Sequence, residues 1–304
     1  MSELALESGM AEQMAALGAE WRAAEPLSRH TSLGVGGRAD MIRVRDAQCV
    51  PEIVRFLDQR GVPWRFLGGG SNLLVPDDDR NDVMLHLARG PRDVIFDGNK
   101  VEVSAAANLG TAVMECAKRN LGGMEGLVGV PGTVGGALRM NAGAYGQQIG
   151  DVVRAITLYR HSTGSINTIQ PDPTSFAYRH SSFAPDDIML SVTLELLERP
   201  YEQILERIKQ CNVKRRASQP INEKSAGCIF KNPPGSSTGK MIDELGMKGA
   251  RVGGAVVSER HANFIVNRYH ATAADILKLI EMIRQRILTT FAIELEEEVI
   301  IWKN

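Results

Sequence analysis

The chain of 304 residues carries 35 basic and 36 acidic side chains, a formal net charge of −1, and is 43% hydrophobic. That balance gives no electrostatic footprint for nucleic acid or an anionic membrane surface, so any bound anion must be met by locally placed charge. The length exceeds what one core usually fills and predicts two or three lobes.

No apolar run approaches the roughly 18 residues that a membrane-spanning helix needs. The opening MSELALESGMAEQM is acidic where a signal peptide is basic, and a cytoplasmic location is expected. Cys49, Cys116, Cys211 and Cys228 are scattered, with no CxxC pair. The pattern predicts reduced thiols, with neither a metal site nor a disulfide framework.

Residues 3–24 favour a helix by composition, closed by Pro26. Gly34, Gly36 and Gly37 predict a bend before a strand near 41–45. The run from Asp46 to Gly61, DAQCVPEIVRFLDQRG, predicts a capped amphipathic helix. WRFLGGGSNLLV then gives a strand at 64–67, a tight triple-glycine turn and a second apolar run. Glycines at the end of the second strand of a β-α-β unit suit a phosphate. GGGSN is not GxGxxG, however, and GxxxxGK[ST] does not occur, which sets aside a standard dinucleotide fold and a P-loop NTPase. Three short strands are expected over 83–104, with turns at Gly90 and Asp97-Gly98, then a helix over 108–121 capped by Asn108 and stopped by Gly122-Gly123.

The stretch Gly122–Gly146, GGMEGLVGVPGTVGGALRMNAGAYG, has nine glycines in 25 residues against 30 in the whole chain. That density predicts a backbone that approaches a flat or anionic ligand closely; a long loop between two sheets is the plainer reading. Runs rich in β-branched residues on either side of FAYRHSSFAPDD (176–187) predict that the sheet resumes. After Pro200 a helix ends in Lys214, Arg215 and Arg216, and a Gly/Pro/Ser segment comes next over 225–240. There PPGSSTG (233–239) has the composition of a flap. TGKMIDELG predicts a short helix, RVGGAVVS and ANFIVN a strand each, and 271–291 a long amphipathic helix with Ile276, Leu279, Ile280, Ile283 and Ile287 on one side. LEEEVIIW predicts a final strand. The order is that of an α+β chain, and the boundary nearest a linker is 198–202.

Six motifs in this order, HTSLGVGGRAD, FLGGGSNLLV, GLVGVPGTVGGALRMNAGAYG, FAYRHSSF, SAGCIFKNPPG and LEEEV, resemble those of the UDP-N-acetylenolpyruvoylglucosamine reductase (UDP-N-acetylmuramate dehydrogenase) family. The resemblance runs from about Thr31 to Ile301. It implies a two-part FAD-binding region of the vanillyl-alcohol-oxidase (PCMH) type plus a C-terminal α/β substrate-binding domain. Laid on this chain, that gives a helical extension over 1–30 and an FAD-binding domain over 31–198, in parts of about 31–76 and 77–198. A substrate-binding domain over 199–293 comes next, and then a strand over 294–304 that returns to the active site.

The resemblance implies non-covalent FAD held by Gly68, Gly69, Gly70, Ser71, Asn72 and Leu73 and by Val130, Pro131, Gly132, Thr133, Gly135, Ala137, Asn141 and Gly143. A pyrophosphate wants backbone N–H donors without side chains in the way, which suits both segments. For Ser71, Asn72 and Asn141 the structural alternative is turn residues that cap their own backbone. The implied reaction is reduction of UDP-N-acetylglucosamine enolpyruvate by NADPH, with hydride passing from flavin N5 to C3 and a proton to C2, in peptidoglycan precursor synthesis. Arg179, Cys228 and Glu298 fall on the catalytic positions, and Arg216, Lys231, Asn232 and Tyr178 on substrate-binding ones. Arg179 offers a planar fork to a carboxylate, and Glu298 orients or polarises the same group. Cys228 stands where the family often has the serine that donates the proton. A lone cysteine is otherwise a small buried hydrophobe, and a loop arginine a solvated one. The short run from Glu198 to Cys228 leaves no room for the tyrosine-bearing insertion that marks one class of the family.

Two other readings fit the glycines: a sugar or lactone oxidase of the same FAD-binding superfamily, and a non-catalytic flavin- or nucleotide-binding protein. Such oxidases often attach FAD through a histidine, and His30, His86, His161 and His180 all lie outside the glycine-rich segments.

Overall fold

The computed structural model describes residues 3–90 and 93–303. The expected 1–30 extension therefore begins, for its first two residues, outside the described part. Contacts divide the chain into two compact units. One comprises residues 1–25, 39–69 and 81–212; the other comprises 26–38, 70–80 and 213–304.

In the first unit a four-stranded sheet is ordered Ala19–Pro26, Arg38–Val44, Val83–Leu87, Trp64–Phe66. Val83–Leu87 runs parallel to both its neighbours, with Met41 opposite Met84 and Trp64 opposite Val83. The helix Val50–Gln59 buries Ile53, Val54 and Leu57, three side chains worth roughly 1.5–3 kcal/mol each. Asp46 caps the preceding 3-10 turn through Gln48 N–H, and Gly61 takes φ +63° just past the helix end, the left-handed exit glycine allows. A five-stranded antiparallel sheet is ordered Ser165–Ile169, Val153–Arg160, Ile188–Glu195, Lys100–Ser104, Val94–Asp97. Its alternate residues Val101, Val103, Ile156, Leu158 and Val192 are fully buried, as period-two patterning requires.

In the second unit a four-stranded antiparallel sheet is ordered Ser225–Cys228, Phe264–Asn267, Ala255–Val257, Arg251–Val252. The helix Ala273–Phe291 packs its Ile276, Leu279, Ile280, Ile283 and Ile287 into that unit's core. A Thr272–Asp275 capping box starts it. Leu73–Leu74 and Ile300–Ile301 form a parallel pair.

Several expectations need correction. The N-terminal helix stops at Ala16. Gly18 turns left-handed at φ +73° and Ala19–Pro26 becomes a sheet-edge strand. Glu20 there lies within ion-pair range of Arg22, Arg43 and Arg45, partners that local helix propensity ignores. The helix capped by Asn108 ends at Ala117, and Leu121–Gly122 pairs with Leu197–Glu198. RVGGAVVS is two strands joined at Gly253-Gly254. In LEEEVIIW the regular strand is confined to Ile300–Ile301, and Glu297 makes an isolated bridge to Phe230. The contact division falls inside the helix Tyr201–Ser218. Asn120 explains this: its carbonyl accepts from Arg199 N–H and its Oδ1 from Tyr201 N–H, tying the helix start to the first unit.

Candidate active site

Two glycine segments of the first unit meet backbone to backbone. A Cβ on Gly69 would lie 2.8 Å from Gly132 Cα and 3.1 Å from Thr133 N. The amide N–H groups of Gly68, Gly69, Gly132 and Thr133 have no acceptor among the described residues, and Gly69 and the neighbouring Pro131 are not buried. Four uncommitted donors on a surface without side chains fit a pyrophosphate.

The glycine-rich stretch is not a plain loop, because it contains the helix Val134–Arg139 capped by Thr133. Its first N–H groups are already used. Val134 donates to Ala107 O, Gly135 to Ala105 O and Gly136 to Thr133 Oγ1. Gly135 permits close approach to Ala105, whose Cβ would be 3.0 Å from an added one. Ala137 is buried in the core. Val130 N–H returns to Leu127 O. Gly135, Ala137 and Val130 thus shape the cradle, and the open donors lie at its rim.

Gly70, Ser71, Asn72 and Leu73 belong to the second unit. Gly70 turns at φ +58°, and an added Cβ would sit 1.8 Å from His30 O. Ser32 N–H donates to Gly70 O and Ser32 Oγ to Ser71 O, so the HTS motif is the clamp of the GGGSN turn. Asn72 Nδ2 donates to Glu298 O at 2.9 Å across 226 residues, and Ile300 N–H donates to Asn72 O. Leu73 is buried opposite Ile300.

Cys228 ends the strand Ser225–Cys228 after an irregularity at Gly227, φ +78°. Glu298 N–H donates to Ile229 O and Lys231 N–H to Glu296 O. Cys228 and Glu298 therefore stand on hydrogen-bonded neighbouring segments, both half-buried. The three successive acids diverge: Glu296 binds Lys231 Nζ and Glu297 binds Arg284. Asn263, buried, grips Phe230 with both ends of its amide, taking the N–H and donating to the C=O. Nothing in the sequence near Asn263 signals this role, since its partner is 33 residues away.

Arg179 and Tyr178 form the turn of a two-residue hairpin in the first unit, with Ala177 opposite His180. Arg179 adopts φ +54°, a left-handed conformation costing roughly 1–2 kcal/mol in a residue with a Cβ. Its guanidinium carbon is 5.2 Å from the centroid of the exposed Tyr178 ring. A Cβ on Gly143 would be 3.4 Å from Arg179 Nη1, so the glycine stretch makes room for the arginine. Asn141, fully buried, spends its amide on Gln148, Ala177 and Gly150.

Among the substrate candidates, Arg216 is exposed in the last turn of its helix. Asn232 Oδ1 accepts from Thr238 N–H and Thr238 Oγ1 donates to Lys231 O, which ties both ends of the PPGSSTG segment. His86 Nδ1 bonds Leu67 O and His161 lies between Asp58 and Asp186.

A model described as the C-terminal domain of UDP-N-acetylenolpyruvoylglucosamine reductase matches residues 219–302, and one described as an FAD binding domain matches 40–170. The chain is 40% identical over 279 residues to UDP-N-acetylenolpyruvoylglucosamine reductase of Moorella thermoacetica, covering 91% of this chain and 92% of that one. It is 41% identical over 276 residues to the reductase of Geobacter metallireducens, covering 90% and 91%. The chain belongs to the UDP-N-acetylenolpyruvoylglucosamine reductase family. A crystal structure of this reductase from Thermus caldophilus superposes with a TM-score of 0.81 at 38% identity, covering 94% of this chain and 99% of that one. Membership brings FAD as cofactor and the α+β architecture of an FAD-binding region with a C-terminal domain. Among the described residues no helix is long and apolar enough to cross a membrane.

One residue of this family member escaped the sequence reading. Glu125, near the start of the glycine stretch, is 1% exposed. It accepts from Gly123 N–H and from Gln147 Nε2 and lies 3.7 Å from Arg199. Burial pushes its carboxyl up, but those hydrogen bonds and the arginine outweigh it and hold the pKa below the ordinary carboxylate value. A depressed folded pKa means stability that is present above the ordinary carboxylate value and lost as pH falls through the folded one. Glu125→Gln is therefore expected to cost about 2 kcal/mol at neutral pH and progressively less in acid. Urea unfolding of both proteins at several pH values checks this; a gap that does not shrink in acid contradicts it.

Proposed function

We propose that the protein reduces UDP-N-acetylglucosamine enolpyruvate to UDP-N-acetylmuramate with NADPH, a step of peptidoglycan precursor synthesis. The observation carrying this reading is the Glu298 N–H to Ile229 C=O bond, which sets the backbone of Glu298 beside the segment that bears Cys228. FAD, when bound, supplies the hydride route from NADPH to C3 of the enolpyruvyl group. The uncommitted N–H groups of Gly68, Gly69, Gly132 and Thr133 would hold its pyrophosphate. As C3 takes hydride, the double-bond electron pair moves toward C2 and the carboxylate. Arg179 binds that carboxylate through its fork and stabilises the charge. Glu298 orients the group, and Cys228 Sγ–H gives its proton to C2, to be restored from solvent. Arg216, Lys231, Asn232 and Tyr178 serve the nucleotide sugar. The four cysteines are all free thiols, which supports a reducing, cytoplasmic setting.

The test is NADPH consumption by the FAD-loaded protein. Consumption is expected only when the enolpyruvyl nucleotide sugar is added, with one lactyl ether formed per NADPH. Rapid oxygen uptake on a sugar or lactone substrate supports the oxidase reading instead, and a protein that cannot be reconstituted with FAD overturns both.

A further inference from the structure

We infer that Asn141 positions Arg179 by holding the Ala177 carbonyl, and that it makes no contact with the cofactor. The inference rests on the reading that Arg179 holds the substrate carboxylate. Asn141 is 0% exposed and left-handed at φ +41°. Its Nδ2 donates to Ala177 O at 2.9 Å and to Gln148 Oε1 at 3.0 Å, while Oδ1 accepts from Gly150 N–H at 3.1 Å. Both amide protons are spent, so none remains for a ligand. Ala177 is the residue that enters the Tyr178-Arg179 turn. The far side of the same turn is held by Ser181 Oγ donating to Arg139 O at 2.8 Å. A strained left-handed arginine persists only where its surroundings over-determine it, and these two bonds brace the turn from both sides. The same amide joins it to the 147–150 segment, against which Gly143 leaves space for the guanidinium.

Two substitutions separate this role from plain packing. Asn141→Gly keeps the left-handed backbone and deletes the clamp. Asn141→Asp keeps the shape and the Gly150 bond but turns an oxygen toward Ala177 O. The two half-reactions are followed separately by stopped flow, and substrate binding by calorimetry. Reduction by NADPH is expected to be unchanged. Reoxidation by substrate is expected to slow by about 10²-fold, the scale of a 1 Å misplacement, with weaker substrate binding. In an Arg179→Ala background Asn141→Gly adds nothing, because both act through one group. Equal slowing of both half-reactions, multiplicative effects in the Arg179→Ala background, or loss of FAD in both variants overturns the inference. So does wild-type reoxidation by both Asn141 variants when Arg179→Ala is slow. Wild-type reoxidation by Arg179→Ala itself instead removes the proposed role of the arginine.

Discussion

Cys228→Ala is expected to slow reoxidation of the reduced protein by its enolpyruvyl substrate by about 10³-fold, within the range that a positioned proton donor supplies. Cys228→Ser should retain most of the rate, since a hydroxyl on the same Cβ can deliver a proton. Flavin reduction by NADPH should be the same in all three proteins. The geometry behind this is local. Gly227, at φ +78°, breaks the register between Ser225 and Cys228, and such a bulge re-aims the next side chain. Rapid-mixing measurements at saturating substrate decide the matter, and an alanine variant that reoxidises normally removes the thiol from the chemistry.

Gly69→Ala is expected to yield nearly colourless protein, with FAD affinity reduced by about 10²-fold. The added methyl would stand 2.8 Å from Gly132 Cα, so one of the two backbone walls must move and shift the N–H donors it carries. The control is Gly136→Ala, on the exposed side of the helix Val134–Arg139. Its Cβ would meet only Thr133 Oγ1 at 3.5 Å, and full flavin content is expected. Flavin absorbance per protein and fluorescence titration of the apoprotein measure both. Normal FAD binding by Gly69→Ala shows that the two glycine segments do not form the pyrophosphate site.

The elements that could be read from sequence are those whose determinants are local. Asp46, Asn108 and Thr272 each cap the helical turn they precede, and the isoleucines of 273–291 repeat at helical spacing. Ala19–Pro26 was not legible, because its residues suit a helix and its sheet partner lies beyond the intervening bend. The motifs of the site were legible as segments, but the duties of single residues inside them were not. Asn72 and Asn141 look alike in sequence, as polar residues in glycine turns. The partners that decide their work are 226 and 36 positions away. Glu125 was passed over for the same reason: Gln147 and Arg199 make a buried carboxylate tolerable, and neither is its neighbour in the chain.

The Asn72–Glu298 bond has a consequence for synthesis. The ends of a loop this long must be brought together before Leu73–Leu74 gains its partner Ile300–Ile301, at an entropic cost that grows only logarithmically with length. The obstacle during translation is time rather than free energy. At roughly 5–20 residues per second, the segment bearing Asn72 waits many seconds for the segment bearing Glu298 to leave the ribosome. The unit made of 81–212 with its earlier strands can condense during that interval, while the one carrying Cys228 and Glu298 must close last. A nascent chain stalled before Glu298 would present a folded flavin region and an unpaired edge at Leu73–Leu74, a natural target for a chaperone.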